Sequence, residues 1–328
     1  MDVVYIGSSG GMERNLLPAT GVRSFLFPMA APHSAGGILS LLVATLRSVV
    51  VLCRTRPRAT FATGGYVSVP AVVASWMLRI PIVIFLPDVV PGRAVSWLLP
   101  LARRIAASTE ETLRYLPAVK TEVTGYPVRE FFAHASPREA RQRMGLPAHE
   151  RVLCVYGASQ GARAINRALA RSLPELLTDS NVVHICGEQR LEEARNAAAD
   201  LSPAQRERYH LFAYLHDEAM ADALAAADLV VCRSGASTVG ELPVLGKPSI
   251  LVPLPERKVH QYDNAEYLER RGAAVIVDEA TLDDVLVPTI RALLGNETRL
   301  AGMAGAARSL ARPDAAQQIA RLLRETAA

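Results

Sequence analysis

The sequence predicts an α/β fold of two domains, each a parallel β-sheet with crossover helices, that face each other across a cleft. Short apolar runs alternate with helical stretches along the whole chain, which is the pattern of parallel sheets. With 328 residues, 50% of them hydrophobic, the chain can build two cores of ordinary size. The pattern restarts after a polar segment that contains proline, so we place the domain boundary near residue 130.

The front domain is predicted over residues 1–130. Its strand-like runs are short and apolar: 3–6, 60–62, 81–86, 104–108 and 122–124. The first strand runs into a glycine-rich loop, after which we expect a helix to begin at Met12. That loop suits either a phosphate or a tight turn, because an isolated glycine-rich loop is a weak signal. Gly64 and Gly65 leave the backbone after the second strand open to the close approach of a ligand.

Residues 38–51 are strongly apolar and predict a helix, which Arg54, Arg56 and Arg58 follow. Such a helix can pack in the core, or it can lie on a membrane surface with its arginines on lipid phosphates, and both interpretations stay open. Arg47 interrupts the apolar run, so we expect no helix that spans a membrane. The chain opens on a strand without a charged leader, so we expect no signal peptide.

Charge is unevenly distributed along the chain. Residues 1–130 carry 13 Lys and Arg against 7 Asp and Glu, whereas residues 131–328 carry 23 against 25. A basic front domain predicts an anionic partner, either a phosphorylated acceptor or the anionic cytoplasmic membrane surface. Nucleic acid is disfavoured because no basic cluster is interleaved with aromatic residues. Four cysteines without C-x-x-C spacing, three of them in apolar runs, are typical of core thiols in a reducing cytoplasm.

The back domain is predicted over residues 131–312, and we expect a last helix, about residues 313–328, to pack on the front domain. The back-domain strands are predicted at 152–156, 182–186, 209–212, 229–232 and 249–252. The first of them ends in the loop GASQGAR (157–163), at the place where open α/β sheets bind ligands. This loop is not the G-x-G-x-x-G fingerprint of dinucleotide sites, and no acidic residue ends the next strand.

The stretch 227–264 is the richest in candidate site residues. A buried strand ends in the small-residue turn 234–237, and a helix begins at Ser237 or Thr238, which brings backbone N–H groups and the positive end of a helix dipole together. One helical turn later, Glu241 can accept hydrogen bonds from a pair of hydroxyls. A phosphate and a vicinal diol together suggest a nucleotide. The alternative is that these residues form only a capping box.

Taken in order, these loops resemble those of the GT-B glycosyltransferases, which have two Rossmann-like domains. Within that class the sequence is similar to the MurG family, which transfers N-acetylglucosamine from UDP-GlcNAc to undecaprenyl-diphospho-MurNAc-pentapeptide at the cytoplasmic face of the membrane. The motifs that carry the likeness cover nearly the whole chain: GSSGGMER (7–14), TGGYVSVP (63–70), VTGYPVR (123–129), GASQGAR (157–163), AADLVVCRSGASTVGEL (226–242) and VHQYDNA (259–265). The resemblance implies UDP-GlcNAc as co-substrate and no other cofactor.

The resemblance also implies roles for individual residues. On the donor side, Glu241 would bind the ribose hydroxyls, Leu215 would pack at uracil, and Arg163 would lie near the diphosphate. The remaining donor residues would hold the diphosphate or the sugar: Ser159, Gln160, Ser237, Thr238, His260, Gln261 and Asn264. On the acceptor side, four residues would line the site: Gly64, Gly65, Tyr66 and Arg129.

Two departures from the family pattern concern the acceptor side. The family begins with a strand and a GGTGGH loop, whereas this sequence begins at what resembles the family's second strand. We therefore expect a front domain without its first strand, in which the hydrogen-bonding edges of the two neighbouring strands are exposed. In addition, the family's HEQN segment is Phe85-Leu86-Pro87-Asp88 here.

The hypothesis is an inverting transfer in which the MurNAc 4-hydroxyl attacks the anomeric carbon of GlcNAc and UDP departs. Fixed N–H donors would stabilise the diphosphate, so we expect no metal, and no Asp-x-Asp pair is present to hold one. Asp88 is the candidate general base or acceptor ligand, and a structural turn is its alternative. Two other functions stay open, a GT-B enzyme with another lipid acceptor and a non-catalytic UDP-sugar-binding protein.

Overall fold

The computed structural model describes residues 2–11, 13–31, 34–157, 161–256 and 260–328. Contacts divide the chain into two compact units, a front unit of residues 1–124 with 316–328 and a back unit of residues 125–315. The front unit's main segment ends six residues before the end expected from the sequence, residue 130. The first helix begins at Glu13, and the expected start at Met12 lies outside the described residues.

The front unit holds two parallel sheets. In the smaller sheet β1 (Val4–Ser8) pairs with β2 (Arg23–Phe27). The larger sheet contains four strands in sequential order: β3 (Thr60–Ala62), β4 (Ile82–Leu86), β5 (Arg104–Ala107) and β6 (Thr121–Val123). Within the described part of the chain, β1 and β3 are both edge strands. The strands β2 and β6 are the other edge strands of these two sheets, and the exposure of the edges beside β1 and β3 stays a prediction.

The front unit's helices are α1 (Glu13–Leu16), α2 (Ala35–Thr55), α3 (Val69–Met77) and α4 (Arg93–Leu98). The helix α15 (Ala315–Ala327) joins them from the end of the chain, and Arg321 pairs there with Glu122 of β6. The core lies between the larger sheet and its helices: Ala62, Val72, Ile82, Ile84, Leu86, Val95, Leu98, Ala102 and Ile105. Because β4 is buried over its whole length, this sheet is covered on both faces.

The helix α2 is continuous through Arg47, whose guanidinium lies 5.9 Å from the ring centre of Phe27. The expectation that Arg47 would interrupt this apolar segment is therefore wrong. By length and composition alone α2 could cross a bilayer, a criterion that core helices and signal sequences also meet. Only 28% of its apolar window is buried. A core helix buries its apolar residues, so α2 is not an ordinary core helix.

The back unit contains one six-stranded parallel sheet in the order β12-β11-β10-β7-β8-β9. Its strands are β7 (Arg151–Tyr156), β8 (Ser180–Ile185), β9 (Tyr209–Phe212), β10 (Leu229–Cys232), β11 (Ser249–Leu251) and β12 (Ala274–Ile276). Its helices are α5 (Glu130–His134), α6 (Pro137–Arg143), α7 (Arg163–Leu176), α8 (Leu191–Ala197), α9 (Pro203–Glu207), α10 (Asp217–Ala226), α11 (Thr238–Leu245), α12 (Gln261–Arg270), α13 (Leu282–Leu294) and α14 (Glu297–Ser309).

The strand order of the back sheet reverses between β7 and β10, which lie side by side in the middle. The loops that follow these two strands therefore diverge and leave a crevice at their carboxyl ends. Cys154 of β7 and Cys232 of β10 are buried as free thiols, and so is Cys186, as the sequence predicts. The crevice between the two loops is the place where this unit can hold a ligand.

A buried polar network joins β8, β9 and α7 in the back unit. His184 of β8 contacts the Tyr209 hydroxyl through Nδ1 (2.7 Å) and the Asn166 side-chain oxygen through Nε2 (3.2 Å). The Asn166 amide nitrogen donates to the Cys186 carbonyl (2.8 Å), so its oxygen is left to accept from His184 Nε2. Burial lowers the pKa of His184 to about 4, and the imidazole is neutral at pH 7.

This network predicts a loss of stability in mild acid. The unfolded chain binds a proton at His184 near pH 6.5 and the folded chain only near pH 4, so stability falls as the pH drops through this window. The whole displacement corresponds to about 3 kcal/mol. We expect the free energy of unfolding of the wild type to fall by this amount relative to His184→Gln between pH 6.5 and pH 4, measured by urea unfolding. A pH-independent difference between the two proteins would contradict the assignment.

Candidate active site

The turn after β10 leads directly into α11. Ser237 precedes the helix with an already helical backbone, and its side chain caps no N–H group of the first turn. The capping-box alternative is therefore wrong. The N–H groups of Thr238 and Gly240 donate to Gly235 O and Ser237 O, at 3.0 Å each. Within the described chain, the N–H groups of residues 235–237 donate to no carbonyl, so these are the groups left for an anion.

Glu241 lies half-buried in the first turn of α11. Burial raises the pKa of its carboxyl, while a hydrogen bond from Ser237 and the positive charge of Arg129 act in the opposite direction. The helix approaches Tyr126 so closely that a Cβ at Gly240 would lie 2.8 Å from the Tyr126 Cβ. A carboxylate at this position lies one helical turn from the free backbone N–H groups. It can accept hydrogen bonds from the two hydroxyls of a ribose while the phosphate of the same nucleotide binds those N–H groups.

Residues 260–264, the second segment with candidate donor-site residues, are hydrogen-bonded to this turn. Ser234 Oγ donates to the Gln261 carbonyl (2.8 Å), and the Asn264 amide donates to the Ser234 carbonyl (3.2 Å). Asn264 is fully buried and positions the turn, and its predicted contact with the sugar or phosphate stays a prediction. The Gln261 side-chain oxygen accepts from Leu254 N (3.0 Å). His260 begins α12 from a left-handed backbone (φ 56°), and its Nδ1 lies 3.4 Å from Asp263.

The loop between β7 and α7 is only partly described. Ser159 and Gln160 lie outside the described residues, so their predicted contacts to the diphosphate stay predictions. Gly161 has φ 74°, and a Cβ there would lie 2.1 Å from the Cys186 carbonyl oxygen. The chain can therefore turn into α7 only with glycine at this position. Ala162 provides no side-chain cap, which leaves the first turn of α7 open to an anion.

Arg163 is exposed at the first turn of α7. Its side chain lines a cavity of about 190 Å³ between α7 and α8, which His184 and Tyr209 also line. Arg163 therefore contributes positive charge at the end of α7, while its side chain points toward α8 in this conformation.

Leu215 is half-buried in the loop between β9 and α10, and Tyr214 beside it is 41% exposed. The Tyr214 ring lies edge-on to His216, with 4.5 Å between the ring centres. At the end of the loop, Asp217 adopts φ 42° and pairs with Arg129 at 2.8 Å. The loop thus presents an apolar and aromatic surface next to a fixed ion pair.

Arg129 lies in a different place from the one that the sequence predicts. It was expected on the acceptor side of the front domain, but it belongs to the back unit, where its guanidinium packs 4.9 Å from the ring centre of Phe131. Its charge acts on the carboxyl of Glu241. The boundary falls before Arg129, because Gly125 packs against Arg312 of the back unit. Its predicted role on the acceptor side stays a prediction, and its position links it to Glu241.

The front-unit candidates lie at the carboxyl edge of the larger sheet. Gly64 (φ 95°) and Gly65 (φ 74°) form the turn after β3, and a Cβ at Gly64 would lie 2.7 Å from Val95. Tyr66 begins the short helical turn that follows. Asp88 follows the neighbouring strand β4 and is half-buried. Since parallel strands end at the same edge of a sheet, the structure brings Asp88 and the two glycines to one side of the front unit.

Comparison with known proteins identifies the family. The family model described as Glycosyltransferase family 28 C-terminal domain matches residues 152–319, and the corresponding N-terminal domain matches residues 1–107. A relative from Roseiflexus sp. (strain RS-1), named UDP-N-acetylglucosamine--N-acetylmuramyl-(pentapeptide) pyrophosphoryl-undecaprenol N-acetylglucosamine transferase, is 40% identical over 98% of this chain and 82% of its own length. The chain belongs to glycosyltransferase family 28.

Two further comparisons agree with this family 28 assignment. A relative of the same name from Salinibacter ruber (strain DSM 13855 / M31) is 37% identical over 97% of this chain and 87% of its own length. The crystal structure of Acinetobacter baumannii MurG superimposes with a TM-score of 0.78 at 28% identity, covering 99% of this chain and 91% of that one. The predicted GT-B fold class and the resemblance to the MurG family are confirmed.

Three features of this family 28 site escaped the sequence analysis. The Arg129–Asp217 pair joins residues 88 positions apart, and no local pattern signals it. The contact of Tyr126 with α11 had a local signal, because Tyr126 is the aromatic residue of the VTGYPVR motif, for which no role was assigned. Tyr214 stands beside Leu215 and gave a local signal, an aromatic residue in a polar loop.

Among the described residues, no group of three His, Cys, Asp or Glu side chains could hold a metal ion.

Proposed function

We propose that this chain transfers N-acetylglucosamine from UDP-GlcNAc to the 4-hydroxyl of undecaprenyl-diphospho-MurNAc-pentapeptide, with inversion at the anomeric carbon. The observation that carries the proposal is the placement of Glu241 one helical turn beyond the donors of residues 235–237, in a chain 40% identical to a relative named for this transfer. The diol of a nucleoside diphosphate would bind the acid and its phosphates the N–H groups. The product is a cell-wall precursor, so the reaction serves growth, shape and division.

The donor site comprises the turn after β10, the end of β7 and the loop after β9. Fixed N–H groups at the turn and at the start of α7 stabilise the negative charge that grows on UDP as the glycosidic bond breaks. Arg163 adds positive charge at α7, and Leu215 offers uracil an apolar face. The candidates for contacts to the sugar or the phosphates are Ser159, Gln160, Ser237, Thr238, His260 and Gln261.

The acceptor binds to the front unit at the carboxyl edge of β3 and β4. Gly64 and Gly65 give the acceptor diphosphate a backbone without side chains, and Tyr66 lies next to them. Asp88 is the general base in this proposal. It takes the proton from the MurNAc 4-hydroxyl while the oxygen attacks the anomeric carbon.

A transfer assay with UDP-GlcNAc and a short-chain lipid acceptor tests the function. We expect one UDP released for each GlcNAc transferred and no product from the 4-deoxy acceptor. Asp88→Asn should lower kcat by about 100-fold and leave the KM for UDP-GlcNAc unchanged, because only the proton acceptor is lost. Unchanged transfer by Asp88→Asn would remove Asp88 from the mechanism without touching the function.

The two alternative functions give different results in the same experiments. UDP binding in calorimetry without transfer or hydrolysis would mark a non-catalytic UDP-sugar-binding protein. Transfer to other polyprenyl-linked acceptors, but not to the MurNAc-pentapeptide acceptor, would mark a GT-B enzyme of different specificity.

We also propose that the chain works in the cytoplasm on the inner face of the cell membrane, with α2 lying on the lipid surface. Five large apolar side chains of α2 are between 49% and 66% exposed, and four of them form one row along the helix: Leu39, Leu42, Leu46 and Val50. The exposed arginines Arg54, Arg56 and Arg58 follow at its C-terminal end. An apolar row next to a cluster of positive charge fits an anionic bilayer, where the leucines meet acyl chains and the arginines meet phosphates.

Charged substitutions in this row test the membrane proposal. In Leu39→Asp with Leu46→Asp, two largely exposed leucines lose their contact with lipid, and anionic lipids repel the new carboxylates. We expect binding to phosphatidylglycerol vesicles to weaken about 30-fold in co-sedimentation, or about 2 kcal/mol. Val119→Asp, at a 99% exposed position of the front unit, is the matched control and should bind like the wild type. Equal binding by all three proteins would remove α2 from the proposal.

A further inference from the structure

Tyr156 is the last residue of β7, directly before the glycine loop of the donor site. In the register of the sheet it stands opposite Cys232, the last residue of β10, so both side chains lie on the same face. The chain continues from Cys232 through the turn into α11, which carries Glu241. The charge of Glu241 acts on the Tyr156 phenol, so the two side chains lie near each other, and Glu241 is the acid that the proposed function assigns to the ribose.

The Tyr156 hydroxyl is buried. In the part of the chain that the structure describes, it lies within reach of the Cys232 thiol, but no oxygen or nitrogen accepts a hydrogen bond from it. Buried polar groups are nearly always paired, and an unpaired one costs folding free energy. The other buried tyrosine hydroxyl of this sheet, that of Tyr209, contacts His184 at 2.7 Å. The two tyrosines thus differ in what their hydroxyls do, although both lie at strand ends of one sheet.

The groups around Tyr156 indicate that its hydroxyl is a hydrogen-bond donor without a strong acceptor. Burial raises its pKa well above 10, with further contributions from Cys232 and Glu241, so the phenol keeps its proton and is a donor. Burial also raises the pKa of the Cys232 thiol, to about 12, and a protonated thiol is a weak acceptor. The strong acceptor among these neighbours is the Glu241 carboxylate, which Ser237 already engages.

We propose that Tyr156 is a positioning residue of the donor site: when the nucleotide binds, its hydroxyl donates to the Glu241 carboxylate and fixes the oxygens that accept from the ribose. This inference rests on the proposed function. A carboxylate has about four acceptor positions, enough for two ribose hydroxyls, Ser237 and Tyr156 together. The hydroxyl without a strong acceptor in the free protein then gains its acceptor when the nucleotide binds. Functional sites often contain groups whose unfavourable arrangement in the free protein is part of the mechanism.

The substitution Tyr156→Phe removes this hydroxyl and nothing else. We expect the KM for UDP-GlcNAc to rise about tenfold with kcat within about twofold, because the lost bond holds the donor and not the reacting atoms. The melting temperature should stay the same or rise, because an unpaired buried group disappears. Tyr209→Phe is the matched control, and it should show the reverse: a lower melting temperature, because a made hydrogen bond is lost, and an unchanged KM.

A comparison of two nucleotides separates positioning from a general structural effect. Calorimetry measures the affinity of wild type and Tyr156→Phe for UDP and for 2′,3′-dideoxy-UDP, which has no ribose diol. If Tyr156 acts through Glu241 on the diol, its removal weakens UDP binding about tenfold and dideoxy-UDP binding by less than about twofold. An equal loss for both nucleotides, or no loss for UDP, overturns the inference.

The same experiments distinguish the failure of this inference from the failure of the proposed function. A wild type that binds UDP but transfers no sugar overturns the function as an enzyme, and the calorimetric comparison still decides the role of Tyr156. A wild type that transfers sugar with a donor KM equal to that of Tyr156→Phe overturns the inference alone. A wild type that binds no UDP overturns both.

Discussion

We expect Glu241→Ala to raise the KM for UDP-GlcNAc by about 100-fold, the largest functional effect of any single side chain outside the reacting centre. The ribose diol would lose a charged acceptor in a half-buried position, and hydrogen bonds to a charged group contribute about 1.5–3 kcal/mol each. A loss of about 3 kcal/mol corresponds to the expected factor. Steady-state kinetics with varied UDP-GlcNAc measures it.

Glu241→Gln is the matched control for this experiment. It keeps the size of the side chain and one acceptor oxygen, so we expect a rise in KM of about tenfold. Neither variant should lower the melting temperature, because burial already raises the pKa of the carboxyl and the ionised form is a cost to the fold. An unchanged KM in Glu241→Ala would falsify the assignment of this acid to the ribose.

The second large effect is expected at Gly161. In Gly161→Ala a methyl group would lie 2.1 Å from the Cys186 carbonyl oxygen, on a backbone with φ 74°. Backbone atoms cannot move aside as the end of a flexible side chain can, so the loop and the start of α7 must shift together. We expect a loss of about 2–4 kcal/mol in the free energy of unfolding and at least a tenfold weaker binding of UDP.

Gly305→Ala provides the comparison for this substitution. Gly305 lies inside α14, where a Cβ would meet no atom within 4 Å. Alanine is favoured over glycine in a helix interior, so this variant should gain about 1 kcal/mol and bind UDP like the wild type. Denaturant unfolding and calorimetry measure both quantities. A Gly161→Ala protein as stable as the wild type would mean that the loop adopts another path.

Local features of this molecule could be predicted because their causes are local. Short apolar runs that end in glycine and serine set the ends of β7 and β10, and the spacing from Thr238 to Glu241 follows from one helical turn. The stretch 227–264 was therefore recognised as the centre of a nucleotide site. The roles of the other residues in this stretch depend on hydrogen bonds with distant parts of the chain, which the spacing of residues in the sequence does not show.

Asn264 and Arg129 show where the sequence falls short. Asn264 carries a side chain that suits a ligand, but its amide nitrogen donates to the carbonyl of Ser234, which lies 30 positions earlier in the chain. Arg129 was grouped with the front domain by its position in the chain, whereas its partner Asp217 and its influence on Glu241 place it in the back unit. Both residues carry polar groups, whose hydrogen-bond partners are set by the tertiary fold and not by periodicity.

Arg47 shows a different kind of error. A charge within an apolar run was expected to divide it, but a long side chain can carry its charge away from the helix and pack its stem on a neighbour, here Phe27. Charge counts along a sequence therefore underestimate how long an apolar helix can be.

The exposed side of α2 has a consequence for handling the protein in the test tube. A row of leucines and a valine that no described residue fully covers is a contact surface for any apolar neighbour, including a second molecule. In dilute buffer this surface would favour reversible clustering that grows with concentration, while a mild detergent would mask it. Apparent particle size and recovered yield would then depend on the amphiphile in the buffer as much as on the protein itself.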